Sequence, residues 1–147
     1  MLHLACVHPE IPQNVGTLIR TAACLNFHVH LVEPLGFLMC DKYLKRAHMD
    51  YVAQAHVTVH TSFDAFCAAM HKHRLLALSP KGEVPFVDFV FKDGDCLVLG
   101  CESKGLSKDH QSCMHMALRI PMHQGRSLNM AIAGSIVMSH ALFLQNK

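Results

Sequence analysis

Short apolar runs alternate along this chain with segments whose apolar residues recur at helical spacing, and no other feature constrains its architecture as much. Runs at 2–8, 28–32, 57–60, 75–78, 96–99 and 117–120 are each bounded by Pro, Gly or a charged turn, the mark of strands. Helical periodicity occupies 13–27, 42–49, 63–71 and 108–114, with a long final stretch from 128 to about 145. Pro12 falls in the first turn of the first helix, Asp41 precedes the second, and Thr61 with Asp64 has capping-box spacing before the third. Strands that alternate with helices predict an α/β fold, a mostly parallel sheet flanked by helices on both faces. Such sheets bind ligands where their strands end at the carboxyl side.

A chain of 147 residues with no internal repeat or linker is expected to form one domain over 1–147. A domain of that size hides roughly 68–70% of its unfolded surface without help from a disulfide or a structural metal. Seven cysteines, an odd number without any Cys-x-x-Cys pair, are expected to be reduced, mostly buried thiols of a cytoplasmic protein. The first apolar run lacks a basic leader and meets Pro9 and Glu10 at once, so no signal peptide is expected. The stretch 128–144 is interrupted by Asn129, Ser135, Ser139 and His140, and a buried helix fits it better than a membrane span of about 20 apolar residues.

Three blocks break the core-building pattern just after expected strands or at a helix start. They are Asn14-Val15-Gly16-Thr17-Leu18-Ile19-Arg20, Gly100-Cys101-Glu102-Ser103-Lys104-Gly105-Leu106 and Ile120-Pro121-Met122-His123-Gln124-Gly125-Arg126-Ser127-Leu128-Asn129. Brought together, they would surround exposed backbone with Asn, Arg, Glu and Ser side chains. Gly100 and Gly105 have the spacing of a phosphate loop, but Leu106 stands where lysine is required and Glu102 would repel phosphate. No G-x-G-x-x-G follows the first strand, and no G-x-S-x-G elbow is present. Ser127 reads either as the cap of the last helix or as a site residue; capping does not account for Asn129 two positions later. His71 with His73, His56 with His60, and His110, Cys113 and His115 lack a recognised ligand spacing, so no metal is expected.

Taken together, Asn14-x-Gly16-x-x-x-Arg20, the Gly100-x-Glu102-x-x-Gly105-Leu106 loop, and Ile120-Pro121-Met122 followed by Ser127-Leu128-Asn129 resemble the three motifs of the SPOUT class of S-adenosylmethionine-dependent RNA 2'-O-methyltransferases. The chain is most similar to the short subfamily that methylates the wobble ribose, cytidine or uridine 34, of tRNA. The likeness extends through Glu33-Pro34-Leu35-Gly36-Phe37 and the segment that follows. It departs at Ser139, where that subfamily often carries tyrosine, and in a loop one residue shorter between Met122 and Arg126.

The resemblance implies a deep trefoil knot at the C-terminal end of the sheet, which periodicity would not suggest. It implies S-adenosylmethionine held near Leu78, Gly100, Ile120 and Met122 with Ser127 and Asn129 in support, and S-adenosylhomocysteine as product. Arg20 takes the catalytic position, oriented by Asn14 and Glu102. A guanidinium does not readily release its proton, so Arg20 is expected to clamp the 2'-oxygen or a neighbouring phosphate. Lys42, Lys45 and Arg46, on one side of a short helix, together with Arg126, are the expected RNA contacts. The implied partners are the tRNA anticodon stem-loop and a second copy of the chain, joined through the first and last helices. Two other readings stay open: a ribosomal RNA 2'-O-methyltransferase of the same class, against which the absence of an extension speaks, and a knotted RNA-binding protein without turnover.

Overall fold

The computed structural model describes residues 1–39, 42 and 55–146. Their strands are β1 (Leu2–Val7), β2 (Phe27–Val32), β3 (His56–His60), β4 (Leu75–Leu78), β5 (Val84–Pro85), β6 (Cys96–Leu99) and β7 (Met116–Arg119). The helices are α1 (Pro12–Leu25), α2 (Phe63–Ala69), α3 (Lys108–Gln111) and α4 (Met130–Gln145), with a 3-10 turn at Phe86–Asp88. The strands form one sheet in the order β3-β2-β1-β6-β4-β7-β5. Every pair is parallel, as the alternation of strand and helix predicts.

Each sheet face has its own core. Leu2, Leu4 and Cys6 of β1, Val29 and Leu31 of β2, and Leu97 and Leu99 of β6 pack under Val15, Leu18, Ile19 and Ala22 of α1 and Ala131, Val137 and Met138 of α4. Ala5, Val7, Val32 and Val98 point the other way and meet Phe63 and Phe66 of α2. The period-2 alternation of side chains explains the division. Gly134 lets α4 lie close to α1, because a Cβ there would stand 2.9 Å from Leu18 Cδ2 and 3.0 Å from Leu99 Cδ1.

Element boundaries differ from the sequence expectation where local hydrogen bonds decide. α1 stops at Leu25 because Asn26 turns left-handed (φ 57°) and its N–H closes on the Ala22 carbonyl, freeing Phe27 to begin β2. Ser62, not Thr61, caps α2 by accepting from the Ala65 N–H. α4 starts at Met130, two residues late, and its cap is Asn129. The two-residue β5 was not expected; it carries a proline at the sheet edge, where the missing N–H costs no ladder bond. Cys6 and Cys96 are buried thiols, but, contrary to expectation, Cys67 and Cys101 are half-buried and Cys24 and Cys113 exposed. Burial pushes the Cys6 thiol up to about 12. Of the expected helix at 42–49, Lys42 is helical and exposed; Lys45 and Arg46 lie outside the described residues. Among the described residues no helix is long and apolar enough to cross a membrane.

Candidate active site

Where β4, β6 and β7 end, the chain leaves the sheet in three loops that enclose a cavity of about 580 Å³. That is the size of a small-ligand pocket. Leu78 and Ser79 form one wall, the 99–106 segment a second, and Ile120 and Met122 a third; Ile11 and Asn14 of the α1 start and Asn129 and Met130 of the α4 start close the remaining side. All six residues expected to hold the cofactor, Leu78, Gly100, Ile120, Met122, Ser127 and Asn129, line it.

One hydrogen-bonded network joins the three sequence blocks. Asn14, buried at 7% exposure, donates through Nδ2 to Glu102 Oε1 at 3.2 Å and accepts at Oδ1 from Asn129 Nδ2 at 3.0 Å. Asn129 accepts at Oδ1 from the Ala131 and Ile132 N–H groups, 2.9 and 3.2 Å away. Asn129 is thus both the helix cap and the tie to α1, and it is exposed rather than buried. Ser127 does not cap; it lines the cavity.

Glu102 also accepts the backbone N–H groups of Glu10 at 2.7 Å and Ile11 at 3.1 Å. Ile11, the residue at the N-cap, has no side chain able to cap. The carboxylate therefore ties down the two backbone N–H groups that lead into α1 and sets negative charge beside its N-terminus. With three donors on its two oxygens, Glu102 is suited to positioning α1. A reciprocal tie runs from Glu10, whose Oε1 accepts from Ser103 N–H and Oγ at 3.1 and 2.6 Å. Those bonds hold the Glu10 carboxyl below its ordinary range.

The loop at 100–106 folds back on itself through the Gly105 N–H to Cys101 carbonyl bond, 2.9 Å long. Any side chain at Gly100 would strike backbone, since a Cβ would stand 2.2 Å from the Gly105 carbonyl carbon and 2.3 Å from the Leu106 nitrogen. This glycine is a condition of the loop's shape. The opposite wall is stapled by Arg119, whose guanidinium donates to the Gly82 and Glu83 carbonyls at 3.0 and 2.6 Å.

Arg20 is exposed on α1 and is not among the residues lining the cavity. It stands six residues beyond Asn14, about 9 Å along a helix axis. Arg126 does line the cavity, as do Lys81 and Lys104, which the sequence reading missed. Only their position after β4 and β6, the strands whose ends build the cavity, could have pointed to them.

The residues present suit an adenosyl ligand carrying an amino-acid tail: apolar walls at Leu78, Leu99, Ile120 and Met122, loop backbone at Gly100, and polar groups at Ser79, Ser127 and Asn129. Residues 1–139 match the SpoU rRNA Methylase family. The tRNA (cytidine(34)-2'-O)-methyltransferase of Ancylobacter novellus is 40% identical over 144 residues, which cover 96% of this chain and 91% of that protein. The enzyme of the same name from Escherichia coli strain K12 is 38% identical, covering 96% and 92%. A solved structure described as giving structural insights into the 2-OH methylation of C/U34 on tRNA superposes with a TM-score of 0.95 at 40% identity, covering 99% of this chain and 97% of its own.

Proposed function

Because the chain belongs to the SpoU rRNA Methylase family, we propose that it transfers a methyl group from S-adenosylmethionine to the ribose 2'-oxygen of nucleotide 34, cytidine or uridine, in tRNA. The observation that carries this reading is the Glu102–Asn14–Asn129 network, which locks all three motif blocks around one cavity. The similarity to enzymes named for position 34 supports the substrate.

S-adenosylmethionine, when bound, supplies a methyl group already activated on a sulfonium, so the reaction requires no metal to activate it. Leu78, Gly100, Ile120, Met122, Ser127 and Asn129 are the residues that would hold it. A ribose hydroxyl is a poor nucleophile at neutral pH, and the protein's task is to aim the oxygen and stabilise the negative charge growing on it. Arg20 is the group assigned to that task, through the forked donors of a guanidinium that stays charged. Asn14 and Glu102 act as positioning residues by fixing the start of the helix that bears it.

Arg20 lies outside its own chain's cavity, which favours a site completed by a second copy. Ile132, Ile136 and Phe143 of α4 are exposed apolar side chains, 54%, 39% and 59% accessible, and support a homodimer built on the first and last helices. The trefoil knot of the SPOUT class belongs to the same proposal, with 120–129 threaded behind the 100–106 loop. Arg126, Lys81 and Lys104 at the cavity, together with Lys42, Lys45 and Arg46 of the basic stretch in the sequence, are the cations proposed to meet the phosphates of an anticodon stem-loop in the cytoplasm. Affinity for RNA then falls as salt rises.

The test is methyl transfer from labelled S-adenosylmethionine to total tRNA and, separately, to ribosomal RNA, followed by mapping of the modified nucleotide. Label at the 2'-oxygen of nucleotide 34 is expected, abolished by Arg20→Ala with cofactor binding retained. Label in ribosomal RNA alone would favour the other reading of the family, and cofactor binding without any transfer would favour the knotted RNA-binding protein.

A further inference from the structure

Strand pairing assembles a cluster that chain order conceals. His3, His28 and His56 are opposite one another in β1, β2 and β3, and two residues on Ala5 faces His30, which faces Thr58. Alternate residues of a strand share a face, so His3, His28, His30, His56 and His60 all project to the α2 side of the sheet. His73, from the turn after α2, meets His3 edge-on with ring centres 4.7 Å apart.

The nitrogens converge. His3 Nδ1 lies 3.0 Å from His30 Nε2, and His30 Nδ1 lies 2.9 Å from His60 Nε2. The His28 ring stacks on His30 at 4.5 Å, tilted by 7°. One ring nitrogen from each of His3, His28 and His30 lies within 4.8 Å of the other two. His30 is buried, while His3 and His28 are half-buried, so the nest is reached from solvent on one side. Hydrophobic packing alone does not call for imidazoles here, since the same face two residues on carries Val7 and Val32.

We propose that His3, His28 and His30 form a binding site for one first-row divalent transition cation of the zinc, nickel and copper group. Imidazole is a preferred ligand of these ions. Bound at about 2.0–2.1 Å, tetrahedral ligand atoms stand about 3.3–3.4 Å apart. The His3–His30 contact would open by a few tenths of an ångström, and the His28 ring, stacked parallel to His30 with a nitrogen within 4.8 Å, would turn out of that stack to aim the nitrogen at the shared ion. His60 already holds the other nitrogen of His30, the kind of outer contact that fixes a metal-binding tautomer. A fourth position is left for water.

This site is separate from the methyl-transfer cavity. His3 pairs with Cys96 at the first residue of β6, whereas the cavity begins at Leu99, its last. Three residues of strand put about 10 Å between them.

Untagged protein titrated with Zn²⁺ in competition with a chromophoric chelator, and with Co²⁺ while its visible absorption is recorded, tests the site. One tight equivalent per chain is expected, with the intense absorption of tetrahedral Co²⁺ and a raised Tm. His28→Gln should weaken that equivalent at least tenfold and remove the Co²⁺ absorption, while His71→Gln leaves both unchanged. Equal binding by wild type and His28→Gln, or no binding by wild type, overturns the proposal. Should His28→Gln fail to fold, anomalous scattering from wild-type crystals soaked in Zn²⁺ decides: a peak bonded to the three nitrogens supports the site, and a peak elsewhere or none refutes it.

Discussion

Asn14 carries two hydrogen bonds of opposite sense from one buried position, its amide nitrogen donating to Glu102 and its amide oxygen accepting from Asn129. Gly100 is demanded for a steric reason of comparable force. In Gly100→Ala the methyl group would overlap the backbone of Gly105 and Leu106, neither of which can swing aside as a flexible side chain could. The loop must move, at a cost of about 1–3 kcal/mol if the effect resembles ordinary overpacking. Calorimetric titration with S-adenosylmethionine should show affinity reduced at least tenfold; an unchanged affinity would mean that the 100–106 loop does not hold the cofactor.

Among the elements, the starts of α1 and α4 depend on each other. Glu102 accepts from the Glu10 and Ile11 N–H groups that lead into α1 and from the Asn14 side chain, while Asn129 caps α4 and reaches across to Asn14. Asn14→Ala leaves Glu102 and Asn129 each short of a partner and should cost about 1–3 kcal/mol. Asn129→Ala removes a cap as well, worth about 1 kcal/mol. Because the two changes break one shared bond, the double variant should be less destabilised than the sum of the singles. Urea denaturation of the four proteins measures this, and strict additivity would show that the two helix starts are not coupled.

Across the whole molecule, the histidine face makes stability depend on pH. Burial, then the neighbouring His73 and His28 and the terminal amine, lower His3 to about 4 against an opposing pull from Asp93. Burial, then His28, His3, His60 and His73, lower His30 to about 3. Both groups prefer the neutral form when folded, more strongly than in the unfolded chain, where their ordinary value is 6.5. Their contribution is therefore complete above pH 6.5 and is lost as pH falls from 6.5 towards 4 and 3. His28 and His60 are also lowered by burial and act in the same direction. In the presence of a chelator, Tm should fall as pH drops from 6.5 to about 5.5, before most ordinary carboxylates titrate. A flat Tm through that window would show that these imidazoles are not held neutral.

The alternation of strand and helix and the parallel sheet were legible in the chain, because hydrophobic period is a local property, whereas Leu78, Gly100, Ile120 and Met122 as cofactor residues came from the resemblance to the SPOUT class. Asn14, Glu102 and Asn129 were legible too, as polar residues in blocks that interrupt the core-building pattern. Their hydrogen bonds were not, since 88 residues separate Asn14 from Glu102 and 115 separate it from Asn129. The assignment of the cap to Asn129 rather than Ser127, and of Glu102 to the start of α1, required coordinates for that reason. The histidine nest shows the same limit more sharply. Chain spacing grouped His56 with His60 and His71 with His73, but parallel register brought His3 to His28 and His30 instead. Periodicity along one strand decides which face a side chain takes; only pairing between strands decides which side chain stands beside it.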